Sequence, residues 1–533
     1  MRYDRVSAHY FSRHYDRLAM KSISSKGNAV LLFSVFCIAV CGLIYELLAG
    51  TVSSYLMGDS VYQFSIVIGV FVSSMGFGSY LTRFLDKNLP DRFVLIELII
   101  GVVGGYSAVI LFFAFAVIEN YTPILFLVTF VLGALIGLEI PLVIRILKDL
   151  SALKVTVSNV FTIDYIGALI ASLLFPIILV PRLGLTRTAF LFGSINVAVA
   201  FLGLFAFKDI LKERRSLFIT AILASALLAL GFFQSSRIST YLENRLYEDD
   251  IIFSTQTPYQ KIVVTRDGND VSLFIDGSIQ FNSKDEYRYH ESLVHPAMSL
   301  AGRRSHVLIM GGGDGMAARE VLKYRDVESV TVVDIDKVIT GLFKTNKLLS
   351  QLNNGSFSNP KVKVLNEDGW KFLENSKAWF DVVIIDLPDP DNFNLSKLYT
   401  KSFYQLLSKH LTATSVVVTQ ASSPLYSREA FWCIFNTLSE TGSPVEREEK
   451  LFTQAYHVYI PSFGEWGFVM ASPSPVQWRN IKLVQPLKFL SEDVLKSMVE
   501  FPPDMKLLDT EINTIDTHKV IAYYEKGWSS WHQ

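Results

Sequence analysis

His306-Val307-Leu308-Ile309-Met310 runs directly into Gly311-Gly312-Gly313-Asp314-Gly315. A short continuous apolar run reads as a strand buried on both faces. The glycines behind it let the backbone turn tightly and let a ligand come close. A helical stretch follows over 316–324. A second apolar run, Ser329-Val330-Thr331-Val332-Val333, then ends in Asp334-Ile335-Asp336. Strand, glycine loop, helix, strand and acid form the order of a dinucleotide-type βαβ unit. Asp334 lies 21 residues beyond Gly313, where an acid can accept hydrogen bonds from ribose hydroxyls. The loop by itself fits nicotinamide enzymes and adenosylmethionine-dependent methyltransferases equally well.

Downstream the same grammar repeats. Val362-Lys363-Val364-Leu365 leads to Glu367-Asp368-Gly369. Phe380-Asp381-Val382-Val383-Ile384-Ile385 leads to Asp386-Leu387-Pro388-Asp389-Pro390. Ser415-Val416-Val417-Val418-Thr419 leads to Gln420. Polar groups at the ends of several strands are what a ligand crevice at the carboxyl edge of a parallel sheet requires. Upstream, residues 251–281 alternate in the manner of antiparallel strands, with turns at Arg266-Asp267-Gly268-Asn269 and Asp276-Gly277. The expected arrangement is a small β domain over 238–305 and an α/β Rossmann-like (methyltransferase-type) catalytic domain over 306–533.

The other half of the chain is different. Mean hydropathy over the 533 residues is +0.33, and the apolar weight sits in residues 28–235. A membrane-crossing helix needs about 20 mainly apolar residues. Seven stretches qualify: 28–50, 61–81, 93–118, 123–147, 157–180, 188–207 and 217–233. They predict an α-helical multi-pass membrane domain over 28–235, behind a basic tail over 1–27 that carries Arg2, Arg5, Arg13, Arg17, Lys21 and Lys26. A lipid bilayer, the cell (inner) membrane, is the implied partner. Lys and Arg concentrate in the tail and in the second, fourth and sixth connections, which puts the tail in the cytoplasm. Seven crossings then put the C-terminal domain outside, so either one segment does not cross or the enzyme faces outward. Glu46, Glu97, Glu139 and Asp164 fall inside or at the ends of apolar segments. Such groups are costly there and point to cation binding or transport. The rival reading pairs them internally, Glu139 with Arg145.

Net charge is 49 − 50 = −1, which gives nucleic acid no electrostatic footprint. Cys37, Cys41 and Cys433 build neither a disulfide framework nor a zinc site, and no metal site is apparent.

Taken together, several ordered motifs resemble the spermidine synthases, the polyamine aminopropyltransferases. They are Tyr259-Gln260, Asp276-Gly277-Ser278-Ile279-Gln280, Asp285-Glu286-Tyr287-Arg288-Tyr289-His290-Glu291, Gly311 to Gly315, Asp334-Ile335-Asp336, Glu367-Asp368-Gly369, Asp386 to Pro390, Leu398-Tyr399 and Ile460-Pro461-Ser462-Phe463. The match covers about residues 256–524. The apolar half is similar to that of membrane-fused bacterial members, through Ile44-Tyr45-Glu46-Leu47-Leu48, Ser60 to Ser65 and Glu139-Ile140-Pro141.

The resemblance implies transfer of an aminopropyl group from decarboxylated S-adenosylmethionine, a co-substrate rather than a bound cofactor. The acceptor is a diamine, with putrescine the default, giving spermidine and methylthioadenosine. On the donor side it implies Gly311, Gly313, Asp314 at the aminopropyl ammonium, Asp334 at the ribose, Asp368 at the adenine, and Gln260 and Gln280 completing the pocket. It implies Asp386 with Tyr289 as the catalytic pair. On the acceptor side it implies His290, Asp389, Gln420 and Phe463. Homo-oligomers occur in the family. Two departures fall on the acceptor side: Asp391 to Lys397 replaces a Gly-Pro-Ala-type segment, and Phe463 stands where the family tends to have tyrosine. Two alternatives stay open: an S-adenosylmethionine-dependent methyltransferase, and a polyamine transporter or sensor whose soluble domain binds donor without turnover. Asp386 as a helix or turn cap, Asp368-Gly369 as a simple turn and Asp334 as a solvated strand end are the bland rivals.

Overall fold

The computed structural model describes residues 25–57, 60–118, 120–147, 153–247, 249–444, 449–483 and 486–531. Arg2, Arg5, Arg13, Arg17 and Lys21 of the basic tail, and Lys148 of the fourth connection, lie outside the described residues. The chain forms two compact units, Met1–Glu248 and Asp249–Gln533.

The first unit is helical: α1 (Ser25–Met57), α2 (Ser60–Leu81), α3 (Leu89–Val117), α4 (Thr122–Leu147), α5 (Leu153–Leu174), α6 (Val180–Ala206) and α7 (Arg214–Leu246). Among the described residues, 6 helical stretches are long and apolar enough to cross a membrane. One of them, Val157–Ala206, is 50 residues long and joins α5 to α6 through a π turn, Phe175–Leu179. Gly184 interrupts it at φ 74° and ψ 175°, which a Cβ-bearing residue rarely adopts. That break falls between 157–180 and 188–207, where the hydropathy pattern divides the run. Two apolar cores support the division. Val35, Phe93, Val160 and Leu217, near the starts of α1, α3, α5 and α7, share one core with Ile146 and Leu204, near the ends of α4 and α6. The second core joins Val52, Ala114 and Ala171 to Leu125 and Ala189. Chain direction therefore alternates through α5 and α6. Helix α7 runs past its apolar stretch to Leu246, so the polar residues 237–245 extend a helix instead of opening the β unit. Arg145 donates to Thr82 O (2.7 Å) and Asp86 Oδ1 (3.2 Å); it does not pair with Glu139. Six positions apart on one helix, the two point to different faces.

The second unit opens with an antiparallel sheet in the order β1 (Asp250–Gln256), β2 (Lys261–Asp267), β3 (Asp270–Ile275), β4 (Ser278–Asn282), followed by α8 (Glu286–Leu300). Then come β5 (His306–Gly311), α9 (Met316–Val321), β6 (Ser329–Val333), α10 (Lys337–Thr345), α11 (Lys347–Leu352), β7 (Val362–Leu365), α12 (Gly369–Asn375) and β8 (Phe380–Asp386). The chain continues through α13 (Phe393–Ser396), α14 (Lys401–Ser408), β9 (Leu411–Gln420), α15 (Arg428–Ser439), β10 (Phe452–Ile460), β11 (Gly464–Ser472), α16 (Glu492–Ser497) and α17 (Lys519–Ser529). The large sheet has the order β10-β11-β9-β8-β5-β6-β7. Its five strands from β9 to β7 are parallel, and β11 and β10 add antiparallel pairs at one edge. The side chains of Val307, Leu308, Ile309 and Met310 are at most 1% exposed, as a strand covered on both faces requires. Strand order reverses beside β5: β6 and β7 lie on one side, β8 and β9 on the other. The crevice at such a switch point, beyond the carboxyl ends of the strands, is where ligands bind in open α/β sheets.

Candidate active site

Gly311 lies opposite Asp386 in the β5–β8 register, so the glycine loop and the end of β8 share one edge of the crevice. Gly311 and Gly312 have φ of 79° and 63°, and the Gly312 amide donates to Asp386 O at 2.9 Å. A Cβ on Gly311 would lie 2.0 Å from that carbonyl oxygen, and one on Gly313 would lie 2.6 Å from Asp334 Oδ2. Glycine is required here by the two acids that the loop packs against.

Helix α8 brings Tyr289 and His290 to the same edge. The Tyr289 hydroxyl donates to Asp386 Oδ1 at 2.8 Å. His290 Nε2 lies 3.9 Å from Asp314 Oδ2. His290, Asp314 and Asp386 each offer an atom within 4.8 Å of the other two. His290 Nδ1 faces Glu286 Oε2 at 2.8 Å and Glu286 O at 2.9 Å, two acceptors that make it a donor. Arg319 grips Glu286 from the far side with two bonds, of 2.9 and 2.8 Å. Burial opposes a charge on His290, but its Glu286 bond and the Asp314 and Asp386 carboxylates outweigh it and raise its pKa to about 9. A protonated imidazole is a poor metal ligand, so this cluster reads as a site for a cationic ligand held between carboxylates. Burial also raises Asp386, to about 6, against the pull of His290 and the Tyr289 bond.

The expected donor residues line up unevenly. Asp334 Oδ1 accepts from the Asp336 amide at 2.8 Å, and burial raises its pKa to about 7. Asp314 Oδ1 accepts from the Met316 amide at 2.8 Å, leaving Oδ2 toward His290. Asp368 caps α12 through the Trp370 and Lys371 amides (2.9 and 3.1 Å). Its other oxygen pairs with Lys397 at 2.6 Å. Gln260 and Gln280 are half-buried. The Gln280 amide reaches Ser278 O at 3.2 Å, and the Gln260 backbone ties to Thr257.

On the acceptor side, Asp389 is held above the ordinary carboxylate range, at about 6, by burial, which hydrogen bonding only partly offsets. Its Oδ1 is buried, its Oδ2 accepts from Ser422 Oγ at 3.3 Å, and the Tyr524 hydroxyl and the Gln420 amide also bear on the carboxylate. Gln420 bears on Asp389 and is tied to the surrounding backbone as well. It donates to Leu387 O (2.8 Å) and to Tyr399 Oη (2.7 Å), and it accepts from the Ser422 amide (2.9 Å). It braces the loop after β8. Phe463, on the β10–β11 turn, packs edge-on against Tyr289 with ring centroids 5.9 Å apart.

Sequence reasoning missed several members of this site. Ser422 adopts φ 65°, a conformation that costs a non-glycine residue about 1–3 kcal/mol and collects at functional sites. Tyr399 donates to Pro388 O at 3.0 Å. Arg319 and Glu286 hold His290. The segment that departs from the family pattern has its own support: Asn392 caps α13, and Asn513 donates to Ser396 O (3.2 Å) and Tyr399 O (3.1 Å). Asp391 is pushed to about 7 by burial and by the Asp389 and Asp276 carboxylates. Trp528 and Trp531 pack on Tyr426, with centroids 5.2 Å apart in each case.

The spermine/spermidine synthase domain family matches residues 286–480. A polyamine aminopropyltransferase of Leptospira interrogans serogroup Icterohaemorrhagiae serovar copenhageni is 47% identical over 504 residues, 94% of this chain and 99% of that one. Polyamine aminopropyltransferase 2 of Ralstonia nicotianae is 44% identical over 512 residues, 95% of this chain and 99% of that one. Alignments of that length take in the helical unit as well as the α/β unit. Among solved structures, spermidine synthase from Thermotoga maritima is 28% identical and covers 48% of this chain and 85% of its own, with a TM-score of 0.41.

Proposed function

The chain belongs to the polyamine aminopropyltransferases, the spermine/spermidine synthase family, and on that premise we propose that it makes spermidine from putrescine while held in a membrane by its helical unit. The reaction is aminopropyl transfer from decarboxylated S-adenosylmethionine, with no permanently bound cofactor. The observation that supports the acceptor reading is Asp389, three residues beyond Asp386, whose buried carboxylate has only the neutral partners Tyr524, Gln420 and Ser422, which do not offset its burial. A buried acid without a cationic partner is costly, and the distant ammonium of a diamine supplies one.

Asp386 and Tyr289 act on the other end of the acceptor. An amine is protonated at neutral pH and cannot attack until it loses a proton. Asp386, ionised above about 6, accepts that proton, and the Tyr289 hydroxyl fixes the carboxylate's direction. The free amine then attacks the methylene next to the donor's sulfonium. A C–N bond forms, the C–S bond breaks with its electron pair passing to sulfur, and methylthioadenosine leaves. Asp314 attracts the donor's aminopropyl ammonium. It repels the carboxylate that S-adenosylmethionine carries on the same arm, which argues against methyl transfer. Asp334 takes the ribose. Asp368 takes the adenine amino group once Lys397 releases it. Gln260 and Gln280 close the donor pocket. His290 holds positive charge beside both acids. Gln420 sets the loop that carries Asp389, and Phe463 presses on Tyr289.

The helical unit supports a multi-pass position in the cell (inner) membrane through the length and apolarity of its helices. Product masses from full-length protein given the decarboxylated donor and a panel of amines test the reading. Spermidine from putrescine is the expected outcome. Transfer only to a longer amine would overturn putrescine as acceptor, and a methylated product from S-adenosylmethionine would overturn the reaction itself.

A further inference from the structure

Four helices of the first unit meet around two acids. Glu97 on α3 is 0% exposed and Glu139 on α4 is 1% exposed, and the two carboxyl groups adjoin and interact. Asn196 on α6 donates to Glu97 Oε2 at 2.9 Å, and Tyr45 on α1 donates to Asn196 Oδ1 at 2.9 Å. That chain of donors ends at Glu97. Glu97 Oε1 and both oxygens of Glu139 are buried without a partner. The other titratable groups facing the pair are Cys37 and Cys41 on α1, Tyr45, and Asp164 on α5. None of them is basic. Arg145, the nearest arginine in sequence to Glu139, is engaged by Thr82 and Asp86, and Arg92, five residues before Glu97, is exposed.

Two bare carboxylates cannot hydrogen-bond each other, because each only accepts. Like charges at this separation, out of water, do not both stay ionised. One proton removes both difficulties: it cancels a charge and gives Glu139 and Glu97 the donor they lack. The surrounding packing favours so small a ligand. A Cβ on Gly101, one turn from Glu97, would lie 2.8 Å from Gly193 O, and one on Gly193 would lie 2.4 Å from Gly101 O. The backbones of α3 and α6 therefore touch beside the acids.

We propose that Glu97 and Glu139 form a proton-binding site inside the helical unit, a carboxyl–carboxylate pair oriented by Asn196 and Tyr45. The site rests on the membrane reading of the helical unit and is separate from the aminopropyl-transfer site. Its function is to take up and release a proton.

Infrared difference spectroscopy on full-length protein in lipid nanodiscs, between neutral and alkaline pH, tests this. The expected spectrum contains a protonated-carboxyl stretching band that Glu139→Gln and Glu97→Gln each remove, while methylthioadenosine release by the same samples stays within about twofold of wild type. The isosteric glutamines keep the side-chain volume, and Glu139→Asp, which retains the carboxyl, is expected to keep a shifted band if the bundle folds. Identical difference spectra for wild type and both glutamine variants would overturn the site. A band that disappears at constant pH on adding sodium chloride or spermidine would assign the pair to that cation and overturn the proton. Loss of the protein from the bilayer fraction would instead overturn the membrane reading, and loss of methylthioadenosine release alone would bear on the catalytic reading.

Discussion

Glu286 and Glu139 are both buried carboxylates, one in each unit, and their surroundings differ completely. Glu286 meets two Arg319 nitrogens and the His290 ring, and these partners outweigh its burial and hold its pKa at about 2. Glu139 meets another acid and, among the described residues, no base. Desolvating a charge costs several kcal/mol, which only good partners recover. At Glu286 the partners are there, so its charge persists in the interior. At the Glu97–Glu139 pair they are missing, and the acids serve for what they accept. Burial of an acid is thus not one signal: its partners decide whether it builds a site of fixed charge or a site that changes charge.

The largest effect is expected from making Glu286 resemble Glu139. Arg319→Met takes two hydrogen bonds from Glu286, leaving it His290, and one from Glu320, leaving it His295 and Lys323, and should cost up to about 3–5 kcal/mol of stability, the range for breaking a buried pair, read as a lowered unfolding midpoint of the α/β unit. An unchanged midpoint would mean that the arginine does not support the pair. The same network sets an acid limit. Glu286 and Glu320, both lowered to about 2, contribute stability above the ordinary glutamate range that is lost as pH falls toward 2. Unfolding midpoints followed from neutral to acid pH should fall only below that range.

A smaller effect is expected at the catalytic pair. Tyr289→Phe removes a hydrogen bond to a charged group, about 1.5–3 kcal/mol, and so should slow turnover by about ten- to a hundredfold. Wild-type turnover should fall as pH drops through about 6, where Asp386 gains its proton. Because the Tyr289 bond helps keep that pKa down, the falling limb should move to higher pH in the variant. A limb that stays put would dissociate it from Asp386.

The smallest effect is expected where an acid's partner is itself partly solvated. Lys397 and Asp368 are 35% and 19% exposed, and such pairs contribute about 0–1 kcal/mol. Lys397→Ala should leave the unfolding midpoint nearly unchanged. A midpoint shift as large as that of Arg319→Met would erase the distinction between the two environments.

Much of this contrast is legible in the sequence, and its limits have physical causes. The β5 strand, the glycine loop and Asp334 stand out because local chemistry dictates them: apolar runs between turns, then a backbone that cannot carry side chains. The long apolar helices are legible for the same reason: hydropathy divides them into seven segments, the described residues form 6 such stretches, and Gly184 breaks the one that the pattern divides. Ser422, Asn513 and Arg319 are invisible in sequence because they reach the site from distant strands and helices, and the roles of Tyr399 and Glu286 are invisible although both stand inside the motifs. Gln420 and Asp368 are at the expected positions, but their polar atoms are already engaged, Gln420 by Leu387 and Tyr399 and Asp368 by Lys397 and the start of its helix. The pairing of Glu139 with Arg145 fails on helix geometry, and what Glu139 does meet lies 42 residues away on another helix, at Glu97.

The most direct test of the central claim is methylthioadenosine release from the decarboxylated donor and putrescine, comparing wild type with Asp386→Asn, alongside donor binding to both. Release by wild type, cut by about 10²–10⁴-fold in the variant with donor binding retained, is the predicted result. Equal release by the two proteins would remove Asp386 from the chemistry, and donor binding without release by wild type would contradict an aminopropyltransferase.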